Sequence, residues 1–204
     1  MRRTTAAVTA GVLAVVGAGC TGDDGHDATP TPPTASEGAT ATLEPRPAPA
    51  RVRVTRVAGR MRPKDREVLA ANVGKVVSAY FDDAFLGGTQ PRTRFADGFA
   101  TFTRDAARQA RRQQRLTTNA KLGPTAEAVV PRRQRAFLSV LAPKGVATGV
   151  TAKVDLAYLV QRVDRADRTV TVRGRLLLTR ASSGGWKIFG YDLTRGDRPA
   201  GEGA

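Results

Sequence analysis

The chain has 204 residues, 41% hydrophobic and 25% charged, with 33 Lys and Arg against 18 Asp and Glu for a net charge of +15. Its one cysteine, Cys20, and its one histidine, His26, both precede residue 51. Everything after that point therefore lacks the residues for Ser-His-Asp or Cys-His catalysis and for the usual nitrogen and sulfur zinc sites, and it holds neither a GxxxxGK[ST] nor a GxGxxG loop.

The first nineteen residues, MRRTTAAVTAGVLAVVGAG, run from a positive start at Arg2 and Arg3, through an apolar stretch from Ala6 to Val16, to the small residues Gly17, Ala18 and Gly19. Those three zones compose a secretory signal peptide. The apolar stretch is too short for a membrane-spanning helix, which needs about 20 apolar residues. With Cys20 directly after Ala18 and Gly19, the segment resembles the lipobox of bacterial lipoproteins, although Gly17 stands where that pattern usually has an aliphatic residue. The resemblance implies that the Cys20 thiol carries a diacylglyceryl group and becomes the first mature residue. The alternative is an ordinary cut after Ala18, which would leave a secreted protein with a free thiol.

Residues 20–50 change character. They are rich in Thr, Ala and Pro, with one Leu and no aromatic side chain. Such a segment cannot bury enough apolar surface to offset chain entropy, so a disordered, Pro-stiffened tether is expected. His26 reads as solvated filler here rather than a metal ligand. Three of the bases and five of the acids precede Arg51, so the remainder keeps 30 bases against 13 acids, a net +17. That excess attracts polyanions, but only six of the bases are Lys, and an Arg-heavy composition also follows from GC-rich coding. The export signal argues against nucleic acid as a partner.

Residues 51–62 read as a basic lead-in, with Arg51, Arg53, Arg56, Arg60 and Arg62. A domain is then expected over residues 63–195, followed by a disordered tail, 196–204. Pro63 suits a first helical turn, with Asp65 and Glu67 near the positive end of the helix dipole. Leu69, Val73, Val76, Val77, Tyr80, Ala84 and Phe85 follow at helical steps, and Gly87-Gly88 ends the run. Phe95, Phe99 and Phe102 form a short second apolar face. Thr103 is placed to cap a third helix, RDAARQARRQQRLTTNA, stopped by Gly123-Pro124.

From there the period becomes two. RAFLSVLAPKG, VTAKVDLAYLVQRV, TVTVRGRLLLTR and GWKIFGYDLTR are separated by turns and by no helix, as in an antiparallel meander with one solvated face. Val150, Ala152, Val154, Leu156, Tyr158 and Val160 share the apolar face of the second strand, and Val170, Val172, Gly174, Leu176 and Leu178 that of the third. Asp155 falls on the solvent face, beside Arg173 or Arg175. The helices are the available cover for the apolar face. The expected fold is α+β, with N-terminal helices packed in the curve of a four-stranded antiparallel sheet.

This order of elements, with the closing GGWKIFGYDL, is similar to the cystatin-like cone of the nuclear-transport-factor-like superfamily. The resemblance spans roughly residues 60 to 195. It implies a helix–sheet cone of the kind found in small envelope lipoproteins, in binders of apolar molecules and in a few proton-transfer enzymes, so it does not choose among them.

No catalytic residue, metal ligand or cofactor is assigned. Two surfaces are candidates. Arg104, Arg108, Arg111, Arg112 and Arg115 line one side of the third helix and suit anionic lipid headgroups or cell-wall polymers; they read first as a solvated face. Tyr80, Phe85, Phe99, Tyr158 and Trp186, with Asp192, could line an apolar pocket with weak Asp/Tyr proton-transfer chemistry; they read first as core. The expected protein is a lipoprotein held at the extracytoplasmic face of the cell membrane through Cys20. Its domain is a non-catalytic binding or scaffolding module whose protein partner the sequence does not name.

Overall fold

The computed structural model describes residues 48–182 and 184–201. The expected signal peptide, Cys20, His26 and nearly all of the tether lie outside the described residues.

The described chain is α+β, and its sheet has five strands in sequence order. They are β1 (Arg51–Gly59), β2 (Ala126–Ala142), β3 (Gly149–Arg162), β4 (Arg168–Arg180) and β5 (Trp186–Pro199). β2 to β5 form the expected antiparallel meander. The four-stranded, all-antiparallel expectation is corrected by β1, which pairs parallel to β2 along the edge. The basic lead-in is that strand. In RVRVTRVAG, Val52, Val54 and Val57 turn inward opposite Ala136, Leu138 and Val140, while Arg51, Arg53 and Arg56 turn outward. β1 is parallel because the entire helical layer intervenes before β2, and a connection of that length brings the chain back in the same direction.

Two other strands are longer than their sequence pattern suggested. β2 starts at Ala126, and a register shift between Pro131 and Arg133 hides its alternation. β5 continues through Gly196 to Pro199.

The helical layer opens with α1 (Pro63–Phe81), with Pro63 at its start and Asp65 in its first turn, bonded to Arg62 at 2.8 Å. Leu69, Val73, Val77, Tyr80 and Phe81 are its buried stripe. A wider, π-type turn, Asp82–Leu86, continues it to Gly87, whose N–H donates to Asp82 O at 2.7 Å.

The third predicted helix is shorter than read: α2 (Arg104–Arg112) breaks at Gln113, and α3 (Gln114–Thr117) is one turn. The cause is side-chain competition for backbone carbonyls. The Thr117 hydroxyl donates to Ala110 O at 2.9 Å, and the Thr118 hydroxyl to Gln114 O at 2.8 Å. Thr103 occupies the N-cap position of α2 without a side-chain capping bond. Its N–H instead donates to Ile188 O at 2.8 Å, while Ile188 N–H donates to Thr101 O at 3.0 Å. That short bridge covers part of the outer edge of β5.

Between layers lies one core. Val73, Val77, Tyr80 and Phe81 from α1 meet Leu138, Leu156, Tyr158, Val172, Leu176 and Ile188 from the sheet, all fully or almost fully buried. Each such side chain contributes about 1.5–3 kcal/mol on burial. Among the described residues, the other face of the sheet is open.

Candidate functional site

The predicted pocket residues go to three places. Tyr80, Phe85, Phe99 and Tyr158 are buried in the core. Their rings stack into a continuous series: Tyr80 meets Phe102 edge-on at 5.0 Å and Phe85 at 5.5 Å, Phe85 meets Tyr158 at 6.1 Å, and Phe99 meets Phe102 at 5.9 Å. These contacts commit the rings to packing against one another between helices and sheet. Trp186 is buried at the opposite end of β5, under the Arg180 guanidinium, 5.3 Å from the ring centroid. Asp192 is on the open face, its side chain 65% exposed and bonded to Arg175 at 2.7 Å. No joint Asp192–Tyr158 site exists, because Asp192 pairs across the sheet with Arg175 on the face opposite Tyr158.

Both buried tyrosines have taken partners. Tyr80 Oη donates to Thr117 O at 2.9 Å, and Tyr158 Oη to Asn119 Oδ1 at 3.1 Å. Burial pushes both phenols well above their ordinary range, so they stay protonated and act as structural donors. Arg195 reaches the same cluster from β5. Its Nη2 donates to Asn119 Oδ1 at 3.1 Å, and its Nη1 to the carbonyls of Thr118 and Arg115. This buried polar cluster was not foreseen. Asn119 follows two threonines in what the sequence presents as a helix end, and its burial depends wholly on the break after Arg112.

The arginine stripe is exposed as predicted by spacing, with Arg104, Arg108, Arg111 and Arg112 on α2 and Arg115 on α3. It is partly engaged. Arg108 pairs with Asp105, and the Arg111 guanidinium sits 5.4 Å from the Phe99 ring centroid. The break at Gln113 also makes the stripe discontinuous.

A groove of about 740 Å³ lies between α1 and the start of β1. Small side chains form it: Ala70, Ala71, Gly74 and Ala79 of α1, with Ala50 and Val52 opposite. Lys75, Ser78, Asp82, Asp83 and Gln134 are its polar side chains. Neighbours on a helix lie about 100° apart, so the side chains of Asp82 and Asp83 would diverge in a regular turn. Both nonetheless line this groove, which is wide enough to meet two faces of the turn.

Asp155 is on the open face, as expected. It bonds Arg173 at 3.2 Å but also Arg133 of β2 at 2.7 Å, and Arg175 goes to Asp192 instead. Among the described residues no cluster of His, Cys, Asp and Glu could hold a metal ion, and no helix is long and apolar enough to cross a membrane. No protein-family model matches the chain, and neither does any characterised protein or solved structure.

Proposed function

We propose that this protein is an exported lipoprotein, anchored through Cys20 to the extracytoplasmic face of the cell membrane, whose α+β domain is a non-catalytic binding or scaffolding module of the cone-shaped, nuclear-transport-factor-like kind. The anchor reading is supported by the sequence pattern before Cys20. The module reading is supported by one observation above all: Tyr80, Phe85, Phe102 and Tyr158 are committed to packing against one another. With these rings engaged in packing, this reading places recognition on the outer surfaces, which are strongly basic.

The groove beside α1 supports a second reading, a small-ligand site with Asp82 and Asp83 at its polar part. It relocates the pocket from the core to the flank of α1.

Fractionation of producing cells tests the anchor. The native protein is expected in the membrane fraction and the Cys20→Ser variant in the medium. Native protein found in the medium would contradict the reading.

A further inference from the structure

We propose that the seam between β1 and β2, on the open face of the sheet, is a docking site for an extended alditol-phosphate polymer. The site is a depression of about 230 Å³ lined by Arg51, Arg53, Arg135 and Phe137. Arg51 stands directly opposite Arg135, and Arg53 opposite Phe137. Neighbouring strands lie about 4.8 Å apart, and like charges placed opposite one another across that distance oppose folding. Elsewhere on the same face several arginines are neutralised, although Lys153, opposite Phe137, is exposed and in no ion pair among the described residues. Arg133 and Arg173 share Asp155, and Arg175 holds Asp192. At the seam the fold neutralises less: among the described residues no ion pair holds Arg51, Arg53 or Arg135, and the one carboxylate opposite Arg135, Asp155, is already shared by Arg133 and Arg173. Three exposed guanidinium groups around one hollow suit an anion.

The footprint selects the ligand. The uncompensated charge forms a strip along β1, where Arg51 and Arg53 are alternate residues about 6.7 Å apart and Arg56 follows on the same side. A planar anionic membrane would meet the whole face, including the carboxylates Asp155 and Asp192 that interrupt it. A linear polyanion can follow the strip alone. Arginine forks fit phosphate oxygens two at a time, and Phe137 in the hollow's lining offers apolar contact to the carbon segments between phosphates. Those two features favour an organic phosphodiester over inorganic phosphate. The preference for alditol phosphate over nucleic acid rests on the extracytoplasmic reading above; the cationic hollow itself does not.

The test is binding of the purified full chain to poly(glycerol phosphate) at low salt. Its comparison probes are inorganic phosphate, a single-stranded oligonucleotide of equal phosphate number, and vesicles of equal parts phosphatidylglycerol and phosphatidylcholine. The triple variant Arg51→Gln/Arg53→Gln/Arg135→Gln is expected to bind the polymer about a hundredfold more weakly. A variant with the same charge change on the helical side, Arg104→Gln/Arg108→Gln/Arg112→Gln, is expected to bind within about threefold of the native chain. Equal losses in the two variants would overturn the site, because binding would then follow net charge. Vesicles, oligonucleotide or inorganic phosphate binding as tightly as the polymer would overturn the ligand. Unchanged circular dichroism of both variants keeps a folding defect apart from either result, and the outcome is independent of where the cell places the protein.

Discussion

Tyr158 and Arg195 donate to one oxygen. Tyr158 Oη and Arg195 Nη2 each lie 3.1 Å from Asn119 Oδ1, in a cluster where both Tyr158 and Asn119 are buried. The amide thus ties β3 and β5 to the segment after α3, and Asn119 N–H adds a bond to Ala84 O at 2.8 Å at the end of the first helical unit. Removing one member strands another. Asn119→Leu is expected to cost about 2–4 kcal/mol, because it leaves a buried phenol and a guanidinium N–H without their acceptor. Tyr158→Phe removes only one of two donors to that oxygen and should cost about 1 kcal/mol. The two changes should be non-additive in urea unfolding, since the double variant no longer buries an unsatisfied hydroxyl.

Asp197 predicts an acid dependence. Its carboxylate, 13% exposed, accepts from Lys121 Nζ at 2.7 Å and from Arg168 Nη2 at 2.6 Å. The Lys121 bond, then the Arg168 bond, hold it below the usual aspartate range against a smaller opposing effect of burial. The group is therefore ionised to lower pH in the folded chain than in the unfolded one. Its stabilisation is complete above the unfolded value, about 4, and is lost as pH falls through the lower folded value. Asp197→Asn should cost about 1–2 kcal/mol at pH 7. Unfolding curves of the native chain and this variant should converge as pH falls below about 4.

Gly174 is fixed by space and by backbone. It sits mid-strand in β4 with φ at 140°, where a Cβ would lie 2.0 Å from Asp192 O and 2.9 Å from Leu193 Cα. The obstructing atoms belong to the β5 backbone and cannot rotate away. Gly174→Ala should cost more than about 3 kcal/mol, or about 6–12 °C in thermal unfolding for a domain of this size. Gly184→Ala is the control. Its turn has nothing within 4 Å of the added methyl, although its φ of 94° also disfavours a side chain. Its smaller loss, about 1 kcal/mol, measures the backbone part alone.

Phe85 tests whether the core is packed through. It contacts Tyr80 and Tyr158 and is 1% exposed. Phe85→Ala should cost about 3–5 kcal/mol and create a cavity able to take up a small apolar molecule such as benzene. The native chain should show no heat of benzene binding by calorimetry. Equal binding by native and variant chains would mean that an interior cavity already exists.

Much of the sheet was legible because strands with one solvated face alternate strictly. Val150 to Val160 in β3 and Val170 to Leu178 in β4 fall on the buried side as the alternation required. The same alternation is present in Val52, Val54 and Val57, yet β1 read as a charged lead-in because arginines fill the other positions. A pairing to a strand more than seventy residues away leaves no local mark. β2 was half legible, since the register shift near Pro131 breaks its period. In the helical layer, the propensity of Arg, Gln and Ala indicated one helix through residue 120. Hydroxyl bonds from Thr117 and Thr118 overrode it. The aromatic residues were legible as core but not as neighbours. Asp192 was misplaced because an extra residue, Phe189, shifts the register of β5: Trp186 and Ile188 face inward before it and Leu193 after it, which turns Asp192 outward and which the order of residues alone does not reveal. The cationic seam escaped notice because Arg51 and Arg135 become adjacent only through the parallel pairing.

Mass spectrometry of the intact protein extracted from the producing cells' membranes, run once natively and once denatured, tests the central claim most directly. A filled, lipid-anchored module predicts an acyl-sized added mass on Cys20 that survives denaturation, and no further mass lost between the two runs. A Cys20 without that addition would contradict the anchor, and a small molecule released only on denaturation would contradict the filled interior.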